Sequence, residues 1–446
     1  MWNHLPWKVV DITVLTEGRH TTFALAELTY TFIFLLGLYH ACHQKHQRLH
    51  LTIFFAAIVG GLGNDIFFSF LPVVDNFWHA QGMLMITPRF PFYIGAWYVG
   101  WLYFSTILVW KMSGPTESTF LNAALTSLLS AMYYAPWDVV GARHLWWTWH
   151  ASDKMFQHRW LGVPIASTLF TLVFGFCWSL VLHISLFSDT KFCSSTTSTT
   201  SISNNQLRSP NDVHTWVTVR TIGSVALFSV PLLLITMPLL LSTVSLSLPP
   251  APPPGFTELW LTLFLLVMLV VICWWRRHHF GSARSPGSSA MGDVVSLESS
   301  SLPVVALLAH FGFLLGVTRW ANPIHSISTG VHQETGFGKE EGAEVAFDLQ
   351  GWNRSRYLCA EDTMGSDPYT TTLFSMCGAQ ESTAAILGQK SREESRLWYT
   401  VCGKEGDAES VYLVTIGLVL AIVFHASVVV VGCCGTWKKI RESKVE

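Results

Sequence analysis

The chain has 446 residues, half of them apolar and only 13% charged, with a formal net charge of -2. A soluble chain of this length carries nearly twice that charged fraction and lacks apolar runs near twenty residues long, so a soluble globular protein is excluded. No basic block large enough to hold a nucleic acid is present, which leaves the lipid bilayer as the first partner implied.

About nine apolar runs start near Thr22, Leu51, Pro91, Ser118, Gly162, Thr221, Phe256, Leu302 and Val411. Each is long enough to cross a hydrocarbon core of roughly 30 Å as a helix. The expected class is an all-α polytopic membrane protein. The first segment, "MWNHLPWKVVDITVLTEGRH", lacks the basic, apolar and small-residue parts of a secretory signal and is expected to stay attached.

Residues 1-187 read as a block of five spans with short loops. The first span carries Glu27, and the second carries Asn64 and Asp65 directly after Gly60, Gly61 and Gly63. Small residues let a neighbouring helix approach closely, so Asn64 and Asp65 are expected to face another span, the first with Glu27 being the natural candidate. A carboxylate within a span costs roughly 2.5 to 3.5 kcal/mol, and each asks for a reason. The fourth span ends on a third acid, Asp138. All three acids fall in the same half of the membrane, beneath a loop layer with His79, His144, His150 and Asp153.

The belt "ARHLWWTWHASDKMFQHRWLGVP", Ala142 to Pro164, follows. Read as a helix, it puts Trp146, His150, Asp153 and Gln157 on one face. His144 and His150 then lie about 120° apart, so a metal held by both requires an irregular backbone and further ligands from His79, Asp65 or Asp138. Interfacial anchoring by amphipathic rings is the commoner use of such residues. The belt and its acids define the candidate site. Asp65, Asp138, Glu27, His150 and Asp153 are the acid-base candidates, and Asn64, His79, Trp146 and Trp149 the substrate-binding ones; no metal is assigned beyond the weak pair His144 and His150, and the sequence leaves any cofactor open.

Within residues 24-185 the chain resembles the carotenoid biosynthesis family, which includes membrane hydratases of bacterioruberin synthesis. Asp138, Trp147, Trp149 and Gly162-Val163-Pro164 match that family's intramembrane Asp, W-x-W and G-[IV]-P. Glu27 and the Gly60 to Phe68 stretch resemble its upstream acid and glycine-rich helix less closely. The chain departs at Ala166 and Ser167, where the family has Asn. The resemblance implies a lipid or isoprenoid substrate and acid-base addition of water to a double bond, with Asp138 and Asp65 as the acid-base pair. The block also resembles an uncharacterised family of eukaryotic polytopic membrane proteins.

Residues 188-217 contain "SSTTSTTSISNN" and read as a disordered cytoplasmic linker, since such residues bury too little apolar area to offset ordering. Three spans with flexible loops occupy 218-320. "VPLLLITMP", with Pro231 and Pro238, suggests a broken span, "PPAPPPG" from Pro249 a stiff connection, and Gly281 to Asp293 a flexible loop. His310 and His425 lie at similar depth in their spans, a placement that two axial haem ligands would share, although hydrogen bonding to a neighbouring backbone is the commoner role. Residues 321-409 form a hydrophilic loop domain with the sequon Asn353-Arg354-Ser355, a glycosylation candidate. Two of Cys359, Cys377 and Cys402 are expected to form a disulfide there.

The last span and a basic tail, "GTWKKIRESK", occupy 410-446. Its charge, together with "WWRRHH" after Cys273, puts the C-terminus in the cytoplasm and the N-terminus and loop domain on the lumenal or extracellular side, in an endomembrane or the plasma membrane. Cys42, Cys273, Cys433 and Cys434 are juxtamembrane acylation candidates. The sequence leaves two classes standing, a membrane enzyme acting on a lipid or isoprenoid and a transporter, receptor or scaffold.

Overall fold

The computed structural model describes residues 21-70, 77-87, 89-113, 118-150, 159-195, 210-245, 301-336, 345-347, 353-355, 358-359, 374-376, 398-404 and 408-442. The expected span near Phe256, the loops at 249-255 and 281-293, and Asp153 lie outside these residues.

Helices α1 (Thr21–His43) and α2 (Gln47–Phe70) form an antiparallel pair. The third crossing combines α3 (Phe92–Tyr98), a π-helical turn (Val99–Tyr103) and α4 (Phe104–Ser113). Then come α5 (Thr119–Arg143), α6 (Ile165–Ser195), α7 (Pro210–Ser245), α8 (Leu302–Trp320) and α9 (Ala408–Glu442). Seven of these crossings are long and apolar enough to span a membrane. The chain is a multi-pass membrane protein. The remaining long helix, α5, is more polar, with Asn122, Thr126, Ser127, Ser130 and Asp138 buried along it.

The third crossing is the axle of the bundle: 94% of it is buried, against 28 to 56% for the other six apolar helices. Around it the contacts run α1, α2, α7, α6, α5, α9, α8 and back to α1. Large apolar side chains face outward from the ring, among them Leu25, Leu28, Phe32 and Leu35 on α1 and Ile416, Val419 and Val423 on α9. In water this surface would be unstable; against hydrocarbon it is the ordinary outer face of a spanning helix. Three expectations shift at this level. Helix α7 continues through Pro231 and Pro238 as one element. The stretch at 188-217 carries helix at both ends, α6 reaching Ser195 and α7 starting at Pro210. The region 321-409 holds several short strands, so the chain is mostly helical rather than all-α.

One end of the bundle carries a layer of strands. β1 (Phe77–His79) pairs antiparallel with β4 (Trp147–Trp149), β2 (Met85–Thr87) with β3 (Phe90–Pro91), and β5 (Arg159–Trp160) with β6 (Val163–Pro164). Beyond α8, β7 (Ile327–Val331) and β12 (Phe374–Met376) both pair antiparallel with β13 (Trp398–Gly403), β8 (Thr335–Gly336) pairs parallel with β11 (Leu358–Cys359), and β9 (Val345–Phe347) pairs antiparallel with β10 (Asn353–Ser355). The two parts join where Gln81 N–H donates to the Thr329 carbonyl, His144 bonds the Ser326 hydroxyl and Thr148 bonds His332.

The belt is therefore not helical at its start. Leu145 takes φ 57°, a left-handed conformation that terminates α5, and the chain returns as Trp-Thr-Trp, whose period of two suits a strand. Trp147 and Trp149 then share a face and Trp146 leaves it, so Trp146 and His150 do not share a helical face; Asp153 and Gln157 lie outside the described residues.

This layer carries a prediction about pH. Burial, reinforced by Arg89, pushes His79 down to about 3, and burial pushes His332 down to about 4. The unfolded state then binds more protons than the folded one below pH 6.5, so stability is full above that pH and falls as acid is added, by about 1.4 kcal/mol per histidine per pH unit. Hydrogen exchange of residues 77-87 and 327-332, corrected for intrinsic rate, should show faster opening at pH 5 than at pH 7; identical opening would contradict it.

Candidate functional site

Asp138 sits on α5 five residues before its end and is wholly buried. Ser167, in the first turn of α6, donates to its Oδ2 at 2.6 Å. The Tyr134 hydroxyl, one helical turn earlier on α5, lies 3.4 Å from the same Ser167 oxygen. Oδ1 has no hydrogen-bond partner. The Trp147 indole lies beside the carboxyl, but its N–H makes no hydrogen bond of normal length. Ser167 is where the chain departs from the carotenoid-family pattern, and it supplies the donor that holds the aspartate.

Asp65 sits five residues before the end of α2, where Tyr98 donates to its Oδ2 at 2.6 Å and the Asn64 amide reaches Oδ1 at 3.5 Å. Tyr98 closes α3 at the point where the π-helical turn begins. A π turn inserts one extra residue and rotates the side chains that follow, which explains its frequency at functional sites. Here Trp97 and Tyr98 precede it and Trp101 lies within it, all turned toward α5 and α2. Gly61 makes room: a Cβ there would lie 2.1 Å from the Tyr98 ring. The expected small-residue approach thus admits a side chain of the central crossing and turns Asp65 toward α3 rather than toward Glu27.

The two aspartates meet through aromatic rings. Trp101 lies 5.4 Å from Tyr98 and 5.3 Å from Tyr134, and Trp97 stacks on Trp137 at 4.3 Å. Trp147 in turn lies 4.3 Å from Trp137. Tyr134 is within electrostatic reach of both carboxyls. The indole N–H groups of Trp97, Trp101, Trp137 and Trp147, the Tyr93 hydroxyl and Asn64 Oδ1 are buried without a hydrogen-bond partner. Buried polar groups are normally satisfied, so this concentration around two acids is unusual.

The other expected residues divide. Glu27 Oε1 accepts from the Met83 backbone N–H at 2.7 Å, which ties α1 to the loop after β1 and gives this acid a structural use. Trp146 donates to Thr22 at 3.1 Å and seals the start of α1. His79 packs its ring on Trp147 at 6.0 Å, linking the strand layer to the Asp138 cage. Trp149 packs on Phe77, and His150 stacks on Trp78 at 6.1 Å. His144 bonds Ser326 at 3.0 Å. Among the described residues no group of three or more His, Cys, Asp or Glu is placed to hold a metal. Asn353 lies in the short β9–β10 pair (Val345–Phe347 with Asn353–Ser355). Cys402 is disulfide-bonded, and Cys42 and Cys177 are free thiols.

The haem geometry does not form. His310 uses both ring nitrogens, Nδ1 with Tyr30 at 3.2 Å and Nε2 with the Tyr133 carbonyl at 3.0 Å, and stacks on the Tyr133 ring. His425 bonds the Ala421 carbonyl of its own helix. Pro136 lacks the N–H that would bond the Met132 carbonyl within α5, and His310 donates to the carbonyl of the following residue, Tyr133.

Sequence reasoning missed Tyr98, Ser167, Tyr134 and the tryptophans of the central crossing. Their signal was present as an aromatic excess in "FYIGAWYVGWLYF", although an aromatic run in a span reads as core until its neighbours are known.

The family model for a domain of unknown function (DUF7802) matches residues 5–192 and 255–431, and the chain belongs to that family. The carotenoid biosynthesis family is not among the matches. No curated protein and no solved structure matches the chain.

Proposed function

We propose that this protein is a membrane-embedded enzyme that acts on a lipid or isoprenoid chain by acid-base chemistry, adding water across a double bond. The observation that carries the reading is Asp138: a wholly buried carboxyl with one oxygen held by Ser167 and the other unpartnered, inside an aromatic cage that also reaches Asp65. The aromatic surround of Trp97, Trp101, Trp137 and Tyr134 is of the kind on which the flat segments of an unsaturated chain pack. In its protonated form Asp138 gives the proton to one alkene carbon, forming a C–H bond. Water attacks the other carbon and releases a proton to Asp65. Proton transfer from Asp65 back to Asp138 restores the starting state.

Lipid profiling of cells lacking the protein tests this reading. The enzyme predicts an accumulated unsaturated precursor and a missing hydroxylated product, restored by wild-type protein and not by Asp138→Asn. A second reading, a carrier for the same kind of molecule, is favoured by the π-helical turn in the central crossing, because irregular helix at membrane depth is a feature of transport paths. It predicts unchanged lipid structures in a changed distribution. We also take the strand layer as the lumenal or extracellular face, a reading supported by the basic tail and by the Cys402 disulfide.

A further inference from the structure

The end of the bundle opposite the strand layer gathers imidazoles from two helices onto one phenol. His40 lies three residues before the end of α1, His50 three residues after the start of α2, and Tyr103 closes the π-helical turn between them. His40 Nδ1 is 2.7 Å and His50 Nδ1 3.2 Å from the same Tyr103 hydroxyl. All three side chains are buried. The hydroxyl has one proton to give. The pairing we adopt has Tyr103 donating across the shorter contact to His40 and His50 Nδ1–H donating across the longer one to Tyr103. The second nitrogen of His40, Nε2, must then carry its proton, and it is buried with no acceptor. His46 Nε2 is buried without a partner as well.

The side chains acting on the two imidazoles are basic. Lys111, near the end of α4, acts on both His40 and His50, and His46 acts on His50. Lys45 is exposed on the turn between α1 and α2, and Arg48 is exposed in the first turn of α2. An acceptor carrying negative charge completes such a set, and a metal ion does not, because His40 Nε2 holds a proton where a metal would need a lone pair. The imidazoles and Lys111 lie within about one turn of their helix ends, the depth at which phospholipid headgroups sit, and the Tyr103 hydroxyl meets them from the middle of the third crossing.

We propose that His40 Nε2, His46 and Lys111 form a site for the phosphate oxygens of an anionic phosphate group, with Tyr103 and His50 fixing the tautomer of His40. It is separate from the aspartate cage and does not depend on the function assigned to that cage. The test uses the full chain, with the imidazole 15N resonances and the thermal midpoint as readouts. Inorganic phosphate is titrated into phospholipid-free detergent, and phosphatidic acid is added to phosphatidylcholine nanodiscs. A saturable shift with inorganic phosphate identifies a free anion as the ligand, and one confined to phosphatidic acid identifies a headgroup. No shift with either overturns the proposal. Asparagine places its amide where Nδ1 stands and glutamine where Nε2 stands, so His40→Asn should weaken binding about tenfold while His40→Gln retains most of it. Equal binding by the two variants also overturns the assignment. Lys111→Met provides a variant outside the hydrogen-bonded triad and should weaken binding several-fold; unaltered binding would count against the site.

Discussion

Asp138→Asn is expected to reduce turnover of the accumulated lipid by about 10²- to 10⁴-fold, the range that general acid-base groups contribute. The substitution keeps the shape of the carboxyl, and the Asn carbonyl can still accept from the Ser167 hydroxyl as Oδ2 does at 2.6 Å, so insertion and thermal stability should change little. An amide cannot cycle a proton, which separates loss of chemistry from loss of fold. Ser167→Ala should cost about tenfold, since it removes a hydrogen bond to a charged or acidic group and leaves the acid in place. Product formation in proteoliposomes made from each variant, with the precursor identified by profiling, measures both. Wild-type turnover by Asp138→Asn would remove this residue from the chemistry and leave the carrier as the better reading.

Gly61→Leu should damage the fold strongly. The Cβ alone would sit 2.1 Å from the Tyr98 ring, and no rotamer of the added side chain relieves a clash that begins at Cβ. Overpacking of this kind costs about 1 to 3 kcal/mol or more, and it also displaces the hydroxyl that holds Asp65. Two residues along, Gly63 has nothing within 4 Å of its Cβ position. Gly63→Ala should therefore be neutral or stabilise by up to about 1 kcal/mol through its helix propensity. Unfolding monitored in detergent, with fluorescence-detected size exclusion for yield, should place the two glycines at opposite ends of the scale. Similar behaviour of both would mean that α2 does not pack on α3 at Gly61.

How far the site could be read from the sequence differs from residue to residue. Glu27, Asp65 and Asp138 were visible because each stands alone in an apolar run, and their common placement within about two turns of one end follows from residue counting at 1.5 Å per residue. The structure divides them by partner. Glu27 reaches a loop backbone, while Asp65 and Asp138 reach hydroxyls on α3 and α6. Nothing in the spacing of "GGLGND" says whether a glycine faces a backbone or a ring. The haem placement for His310 and His425 failed for a related reason, since depth counts equally for a ligand and for a residue that bonds a backbone carbonyl.

What the sequence determined by itself was the solvent and therefore the class. Apolar runs of spanning length need hydrocarbon around them, and helices must satisfy their own backbone polar groups there, so the crossings follow from local composition. Only the tertiary structure decided which crossing became the axle, which rings enclosed the aspartates and why the belt turned back as a strand. Those outcomes depend on contacts between residues far apart in the chain, such as Tyr98 with Asp65 and Ser167 with Asp138. Inside a bilayer the hydrophobic effect no longer sorts helices, so packing and hydrogen bonding choose the neighbours, and neither leaves a period in the sequence.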